Sequence, residues 1–189
     1  MNLDDLVYVM KNQLDEDFCK HCIKKFNNDK NQYQGRVGRG IDLDLKQSMD
    51  LFISRLDDWM EEDDVFFKSL SKNLTKYKEW APEPYGHQSQ DYHAEDTGYQ
   101  IQKTSPSGFY NWHHDQIGTR YLTFIWYLND VYEDGYTEFS TGLKIQPEAG
   151  KIVIFPALWP WMHRGVAPKS EYKYICTGWL RKIPSEIDK

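Results

Sequence analysis

The chain has 189 residues, of which 40% are hydrophobic and 15% aromatic. A chain of this size and composition can bury a well-packed core, which excludes a disordered protein and favours one domain with substantial β structure. Its net charge of −6 at pH 7 argues against a general nucleic-acid-binding surface, because such a surface needs clustered Lys and Arg.

The N-terminal residues, the apolar stretches and the cysteines indicate the cellular location of the protein. The first ten residues, MNLDDLVYVM, lack the basic start and long apolar core of a secretory signal, and no apolar stretch is long enough to cross a membrane. Cys19, Cys22 and Cys176 are too few for a disulfide framework. These features predict a cytoplasmic protein with no membrane partner. Because no second pair completes a zinc site, we interpret Cys19 and Cys22 as two positions on one buried helix face.

The N-terminal third has helical periodicity. Apolar residues recur every three or four positions over 15–26, and Asp15 or Asp17 can cap a helix there. Two further helices are predicted over 45–60 and 65–74, so that residues 1–80 form a helical support region. The glycine-rich stretch between the first two helices is interpreted as a turn, because no helix pattern opens directly behind it.

Residues 81–98 form a polar, proline-containing stretch that includes His87 and His93. Long structured loops in compact domains are often functional, so we predict a loop that covers a site. The two histidines are interpreted as loop residues rather than metal ligands.

From residue 99 onward the pattern changes to short strands separated by Gly, Asn and Asp turn residues. Strands are predicted over 99–104, 110–116, 121–128, 137–139, 143–146, 151–155 and 172–180. Successive strands without intervening helices are typical of a sandwich, barrel or jelly roll. We therefore predict a mainly β fold with N-terminal helices, in a single domain over residues 1–189 whose core is 99–182.

A histidine-rich motif lies in the strand-like run FYNWHHDQ. Alternation along a strand places His113 and Asp115 on one side and His114 on the other. A third metal ligand must come from elsewhere, and His163 is the candidate. Two imidazoles and one carboxylate form the ligand set of facial-triad iron(II) sites, which leave coordination positions open. Taken alone, a His-x-Asp pair is also found in packed cores.

A lysine is predicted on an inner face. In the run KYICTGWL, alternation places Lys173 with Ile175, Thr177 and Trp179, and in 121–128 Thr123, Ile125 and Tyr127 share a face. A lysine inside a barrel is costly unless an anion meets it. A dicarboxylate that binds the metal through its other end would supply this anion. The alternative is an edge lysine whose ammonium reaches solvent.

These residues belong to an ordered set of motifs: YNWHHDQIGTRYLTFIWYLND, GYTEF, IQPEAGKIVIFP, HRGVAP and KYICTGW. The set resembles the 2-oxoglutarate/iron(II) dioxygenase superfamily, in its prolyl-4-hydroxylase-like branch, over residues 99–180. The resemblance implies a double-stranded β-helix, which is a jelly roll of the cupin type. It also implies that the metal ligands and catalytic residues are His113, Asp115 and His163.

The same resemblance implies the ligands and the activity. Lys173 and Tyr127 would bind the distal carboxylate of 2-oxoglutarate, in a pocket lined by Thr123 and Trp179. The implied reaction uses Fe(II), 2-oxoglutarate and dioxygen to hydroxylate an unactivated C–H bond. The first expected substrate is peptidyl proline, so that the expected partner is a peptide or protein.

Two departures from the family pattern concern the cosubstrate pocket. Lys103 stands where related hydroxylases often have a tyrosine near the cosubstrate. Asp134-Gly135 stands where the family usually has a Gly-Gly pair, and this difference is expected to change the shape of the turn over the site.

Other functions remain open from the residues alone. The substrate could be another side chain, a free amino acid or a nucleobase. A zinc hydrolase can also use two histidines and a carboxylate, but no HExxH helix is present. A cupin-like binding module without turnover is the non-enzymatic alternative, and iron-dependent consumption of 2-oxoglutarate would distinguish these classes.

Overall fold

Two helices and twelve strands form the part of the chain that the computed structural model describes, residues 2–38, 40–82 and 94–183. Neither helix has the length and apolarity that a membrane crossing requires. The predicted loop at 81–98 falls mostly on residues 83–93, with His87 and His93, and these lie outside the described residues. In chain order the elements are β1 (Tyr8–Met10), α1 (Glu16–Asn28), β2 (Tyr33–Gln34), β3 (Met49–Phe52), α2 (Met60–Trp80), β4 (Ala94–Asp96), β5 (Gln100–Thr104), β6 (Tyr110–His113), β7 (Arg120–Tyr127), β8 (Thr137–Phe139), β9 (Lys144–Ile145), β10 (Ile152–Pro156), β11 (His163–Gly165) and β12 (Lys173–Lys182).

Helix α1 begins where the sequence predicts. The Asp15 carboxylate accepts hydrogen bonds from the backbone N–H groups of Asp17 and Phe18, at 2.9 and 3.3 Å, and so caps the helix. Cys19 and Cys22 are both fully buried on its inner face as free thiols. Burial raises the pKa of Cys19 to about 12, as expected for a core thiol. The interpretation of this CxxC as core is confirmed.

The helix predicted over 45–60 is wrong. Residues 49–52 form strand β3, which pairs with β2 and β5, and two short 3-10 turns follow it. Both faces of β3 are covered, with Leu51 in the core under the helices and Asp50 in a buried ion pair with Lys46 at 2.7 Å. Neither face of this strand is exposed to solvent, so its sequence lacks the regular alternation of apolar and polar residues that marks a half-buried strand. The 1–80 region is therefore not purely helical, since β1, β2 and β3 all join a sheet.

Helix α2 is longer at both ends than the predicted 65–74. Its first turn contains Glu61, Glu62 and Asp63, and acidic residues stabilise a helix N-terminus. Its inner face includes Phe66 and Leu70, which are buried in the core that it shares with α1 and the sheet.

The strands form two antiparallel sheets. The larger has the order β1-β10-β7-β12-β5-β3-β2, with β4 also paired to β12, and the smaller has the order β6-β11-β8-β9. This arrangement is the predicted jelly roll, with α1 and α2 packed on the outer face of the larger sheet. Each strand predicted from residue 99 onward is present within a few residues, whereas β4 and β11 were not predicted.

The central strands β7 and β12 separate two environments. Their outer side chains, such as Trp126 and Cys176, lie in the core under the helices. The inner side chains Ile125 and Tyr127 pack between the sheets, in a second cluster that includes Phe155. The predicted alternation of β7 is thereby confirmed, and the space between the sheets is where the candidate site lies.

Candidate functional site

Three predicted metal ligands lie together between the sheets. β6 and β11 are antiparallel neighbours in which His113 and His163 are directly paired. His113 Nε2 lies 3.8 Å from Asp115 Oδ1, and His163 Nε2 lies 3.6 Å from Asp115 Oδ2. One donor atom from each residue lies within 4.8 Å of the other two. Strand β6 ends at His113, so Asp115 follows the strand, but it still lies on the same side, whereas His114 is exposed.

Backbone carbonyls orient both imidazoles. His113 Nδ1 lies 2.8 Å from the Asn111 carbonyl oxygen, and His163 Nδ1 lies 3.1 Å from the Trp161 carbonyl oxygen. A carbonyl only accepts, so each Nδ1 carries the proton and each Nε2 is left to face Asp115. The Tyr110 ring stacks on His113 with centroids 3.5 Å apart, which holds the imidazole plane. Burial, with the nearby His163, lowers the pKa of His113 to about 3, so this ring is neutral at pH 7.

Asp115 is a buried carboxylate that stays charged. Burial by itself would raise its pKa, but the two imidazoles and the hydrogen bonds of neighbouring side chains outweigh it and lower the pKa. Thr123 Oγ1 donates to Asp115 Oδ2 at 2.7 Å. In the described part of the chain no Lys or Arg forms an ion pair with Asp115. A buried carboxylate beside two imidazole nitrogens is costly unless a cation lies among them. These donors therefore fit a divalent metal such as iron(II).

Lys173 is the counterpart at the other end of the same space. It is 5% exposed, and its Nζ donates to the Gly135 carbonyl oxygen at 2.9 Å. Gly135 has a φ of 68° in the turn that the sequence marked as unusual. Burial lowers the pKa of Lys173 to about 8, and no described carboxylate faces it. The lysine thus points inward, and the alternative in which its ammonium reaches solvent is wrong.

One cavity joins the metal-binding residues to Lys173. The side chains that line it, together with Gly165, are Gln102, Thr104, Tyr110, His113, Asp115, Thr123, Ile125, Thr137, His163, Lys173, Ile175, Thr177 and Trp179. Six of the seven predicted site residues are among them. The exception is Tyr127, whose buried hydroxyl donates to Thr137 Oγ1 at 2.7 Å, so that Thr137 stands between Tyr127 and the cavity.

Sequence reasoning missed several lining residues of β5 and β8. Gln102 and Thr104 face the cavity, whereas Lys103 points the other way, where its Nζ donates to Asn27 Oδ1 at 2.9 Å and lies over the Tyr172 ring. Lys103 therefore does not replace a cavity residue. Alternation indicates that neighbours in β5 face opposite ways, but it does not indicate which face is inside.

An open cleft of about 830 Å³ leads from the metal-binding residues to solvent. His113, Asp115 and Trp179 lie at its inner end, and Tyr33 and Arg55 are among the residues that line it further out. The Trp179 indole Nε1 is buried and makes no hydrogen bond of acceptable geometry, although it lies close enough to Asp115 to help lower the pKa of that carboxyl.

Comparisons with known proteins agree with this geometry. Residues 99–181 match the model of the 2OG-Fe(II) oxygenase superfamily. A protein of Acanthamoeba polyphaga mimivirus whose name refers to prolyl 4-hydroxylase is 25% identical over 96% of this chain and 77% of its own length.

Solved structures share the fold. The viral collagen prolyl hydroxylase of Paramecium Bursaria Chlorella virus-1, in its 2OG complex, has a TM-score of 0.68 and 18% identity, over 94% of this chain and 97% of that one. The prolyl hydroxylase of Trichoplax adhaerens, solved with a peptide fragment of hypoxia inducible factor, has a TM-score of 0.74 and 16% identity, over 94% and 84%. The matched residues include the whole metal-binding set and Lys173, so over residues 99–181 the chain is similar to the 2OG-Fe(II) oxygenase superfamily, as its motifs indicated.

Proposed function

We propose that this chain is an iron(II)- and 2-oxoglutarate-dependent dioxygenase that hydroxylates proline in a peptide or protein. The observation that carries the proposal is one cavity with a buried His-His-Asp set at one end and a buried, unpaired lysine at the other. Such a cavity is complementary to a ligand that is a metal chelator at one end and an anion at the other. The mimivirus relative and the structural neighbours named for prolyl hydroxylation support proline as the target.

His113, Asp115 and His163 would hold the metal on one side and leave its other positions open. With dioxygen, the bound metal supplies the oxidation in which 2-oxoglutarate becomes succinate and carbon dioxide, one oxygen atom entering succinate and the other the substrate C–H bond. The contribution of the chain itself is to orient these ligands and to keep the reacting groups away from water.

At the far end of the cavity, Lys173 would bind the distal carboxylate of 2-oxoglutarate. An ammonium has three N–H donors, and the Gly135 carbonyl takes one of them. Because Tyr127 donates to Thr137, the Thr137 hydroxyl proton can in turn be donated to a ligand. Tyr127 would thus act on the carboxylate through Thr137, while Ile125 and Ile175 provide apolar walls.

The direct test is to incubate the iron-loaded protein with 2-oxoglutarate and proline-containing peptides, and to measure hydroxylation by mass spectrometry together with succinate release. Peptides with alanine in place of proline, free proline and single nucleosides are the matched controls. Hydroxylation that requires proline and 2-oxoglutarate would support the proposal. Hydroxylation of another residue or of a nucleobase would contradict the proline assignment and keep the dioxygenase.

The hydrogen bond to Asp115 gives a prediction about metal affinity. Thr123→Val removes the hydroxyl that donates to Asp115 Oδ2 and keeps the side-chain shape. We expect affinity for Fe(II) or Mn(II) to fall about 10–100-fold, because groups that orient a metal ligand contribute on this scale. The measurement is anaerobic metal titration. Thr177→Val is the matched control, since the Thr177 hydroxyl lines the same cavity but donates to the Phe124 carbonyl. Equal losses in the two variants would contradict this role of Thr123.

The lowered pKa of Lys173 predicts how 2-oxoglutarate binding depends on pH. In the free protein burial holds this pKa near 8, and a bound carboxylate would raise it by stabilising the ammonium. Affinity should therefore be complete below about pH 7 and decline as pH rises through 8, by up to roughly tenfold per pH unit, because binding then requires uptake of a proton.

Calorimetry on the manganese-loaded protein between about pH 6.5 and 9.5, in buffers of different ionisation enthalpy, measures both the affinity and the proton uptake. Lys173→Arg is the control, because a guanidinium stays charged across this range and should remove the decline. Wild-type affinity that is constant up to about pH 9.5 would show that Lys173 does not bind the carboxylate as an ammonium.

A further inference from the structure

The cleft outside the metal-binding residues is positively charged in an acidic protein. The chain carries a net charge of −6, yet three arginines, Arg36, Arg55 and Arg120, line this cleft. None of the ion pairs in the described part of the chain involves them. The carboxylate in the cleft lining is Asp115, which we assign to the metal. Asp115 acts electrostatically on Arg120, so the outer cleft presents Arg36 and Arg55 as guanidinium groups that form no ion pair with the described residues.

The fourth cation of the lining does not add to this charge. Lys46 is 3% exposed, and its Nζ lies 2.7 Å from the Asp50 carboxylate in a buried pair. The carboxylate of such a pair neutralises a cation that is buried within the fold. Among the described residues no such partner pairs with Arg36 or Arg55, which distinguishes these two arginines from the structural lysine.

Each arginine rests on an aromatic ring. The Arg36 guanidinium lies 5.8 Å from the Tyr33 ring centroid, and that of Arg55 lies 5.2 Å from the Phe52 centroid. Arg120 lies 3.6 Å from the Trp179 ring, next to the metal-binding residues. Contact with a ring face restrains a guanidinium and leaves its N–H groups free to bind a carboxylate in its plane.

The floor of the cleft is lined by amides. Gln102 Nε2 donates to Gln100 Oε1 at 2.9 Å, and Gln100 Nε2 donates to the Tyr33 hydroxyl at 2.7 Å. This connected row runs from the cavity towards Tyr33 and Arg36, and each amide retains a donor hydrogen that the row does not use. Amide groups of this kind are complementary to the N–H and C=O groups of an extended polypeptide.

We propose that this cleft binds an acidic polypeptide segment, whose Asp or Glu side chains pair with Arg36 and Arg55 while the residue to be hydroxylated lies at the metal. The inference rests on the proposed function and adds a charge preference to it. A nucleic acid is the less favoured anion, because neutralising on the order of 6–10 phosphates needs more cations than the three arginines of the described cleft lining.

The first experiment compares peptides that differ only in the charge around one central proline. Three versions have Glu, Gln or Lys at the flanking positions, and kcat and KM for hydroxylation are measured with the iron-loaded protein and 2-oxoglutarate. We expect KM to be roughly tenfold lower for the Glu peptide than for the Gln peptide, and highest for the Lys peptide. The difference should shrink as salt rises, because exposed charges are screened. Equal KM values for the Glu and Gln peptides would overturn the proposal.

The second experiment reverses the charge of the cleft. In the double variant Arg36→Glu and Arg55→Glu, both at exposed positions, the order of KM values should invert in favour of the Lys peptide. The matched control is Lys24→Glu with Lys72→Glu, which changes the net charge equally at exposed positions outside the cleft. The control should keep the wild-type order. An inversion in the control as well would overturn the assignment to the cleft.

Binding measured without turnover separates this inference from the proposed function. Fluorescence anisotropy is measured with labelled Glu, Gln and Lys peptides in which alanine replaces proline. Tighter binding of the Glu peptide supports the charge preference even if no peptide is hydroxylated at proline, an outcome that would count against the proline assignment alone. No binding of any peptide, or tighter binding of a single-stranded oligonucleotide of equal charge, would overturn the acidic-polypeptide proposal.

Discussion

Alanine at His113, Asp115 or His163 should abolish metal binding and turnover, whereas alanine at His114 should leave both largely intact. The three donor atoms lie within 4.8 Å of one another, and replacing any one of them leaves an incomplete set around the metal. Loss of a residue that only orients a metal ligand typically costs about 10–100-fold, so loss of a ligand itself should cost more. Anaerobic Fe(II) or Mn(II) titration and succinate release measure the two effects.

His114→Ala is the matched control because His114 is an adjacent histidine that is exposed to solvent. Its Nδ1 accepts a hydrogen bond from the Gln116 backbone N–H and is not one of the three clustered donors. Loss of metal in His114→Ala with retention in His113→Ala would contradict the assignment. Circular dichroism of each variant would show whether a loss of activity reflects a loss of fold.

Replacing Lys173 with alanine should weaken 2-oxoglutarate binding by about 3–5 kcal/mol, or roughly two to three decades or more in affinity, and leave metal binding largely unchanged. The ammonium is buried, and with 2-oxoglutarate bound it would be one partner of a buried ion pair. Removing it would leave the distal carboxylate buried without a cation. The measurement is titration of 2-oxoglutarate into the manganese-loaded protein without dioxygen.

Two variants control for this effect. Lys103→Ala removes a lysine of the adjacent strand β5 whose side chain points away from the cavity, so 2-oxoglutarate affinity should not change. Tyr127→Phe should cost about 0.5–1.5 kcal/mol, because the Tyr127 hydroxyl bonds to Thr137 rather than to a charged group. Unchanged affinity in Lys173→Ala would contradict the cosubstrate assignment, and with it much of the proposed function.

Where strands are long and covered differently on their two faces, the sequence by itself determined the structure. The alternation in β7 and β12 indicated that Lys173 and Trp179 share one face of β12 and that Thr123 shares one face of β7 with Tyr127, and Thr123, Lys173 and Trp179 all line the cavity. The two-residue spacing of His113 and Asp115 indicated a shared side in the same way. Helix α1 was predictable because its cap and its buried stripe are local. In each of these cases the period of the pattern is set by backbone geometry within one element.

Only the tertiary structure decided the features that depend on pairing between distant segments. Residues 49–52 carry a helix-like pattern, but they form a strand because β5 and β2 satisfy their backbone hydrogen bonds and both of their faces are covered. Thr137 stands between Tyr127 and the cavity because β8 belongs to the opposite sheet. Arg36 and Arg55 line the same cleft as the metal-binding residues because the fold brings these distant segments together. The order of strands is set by side-chain packing and hydrogen bonding across the whole domain. The spacing of residues within one segment does not encode that order.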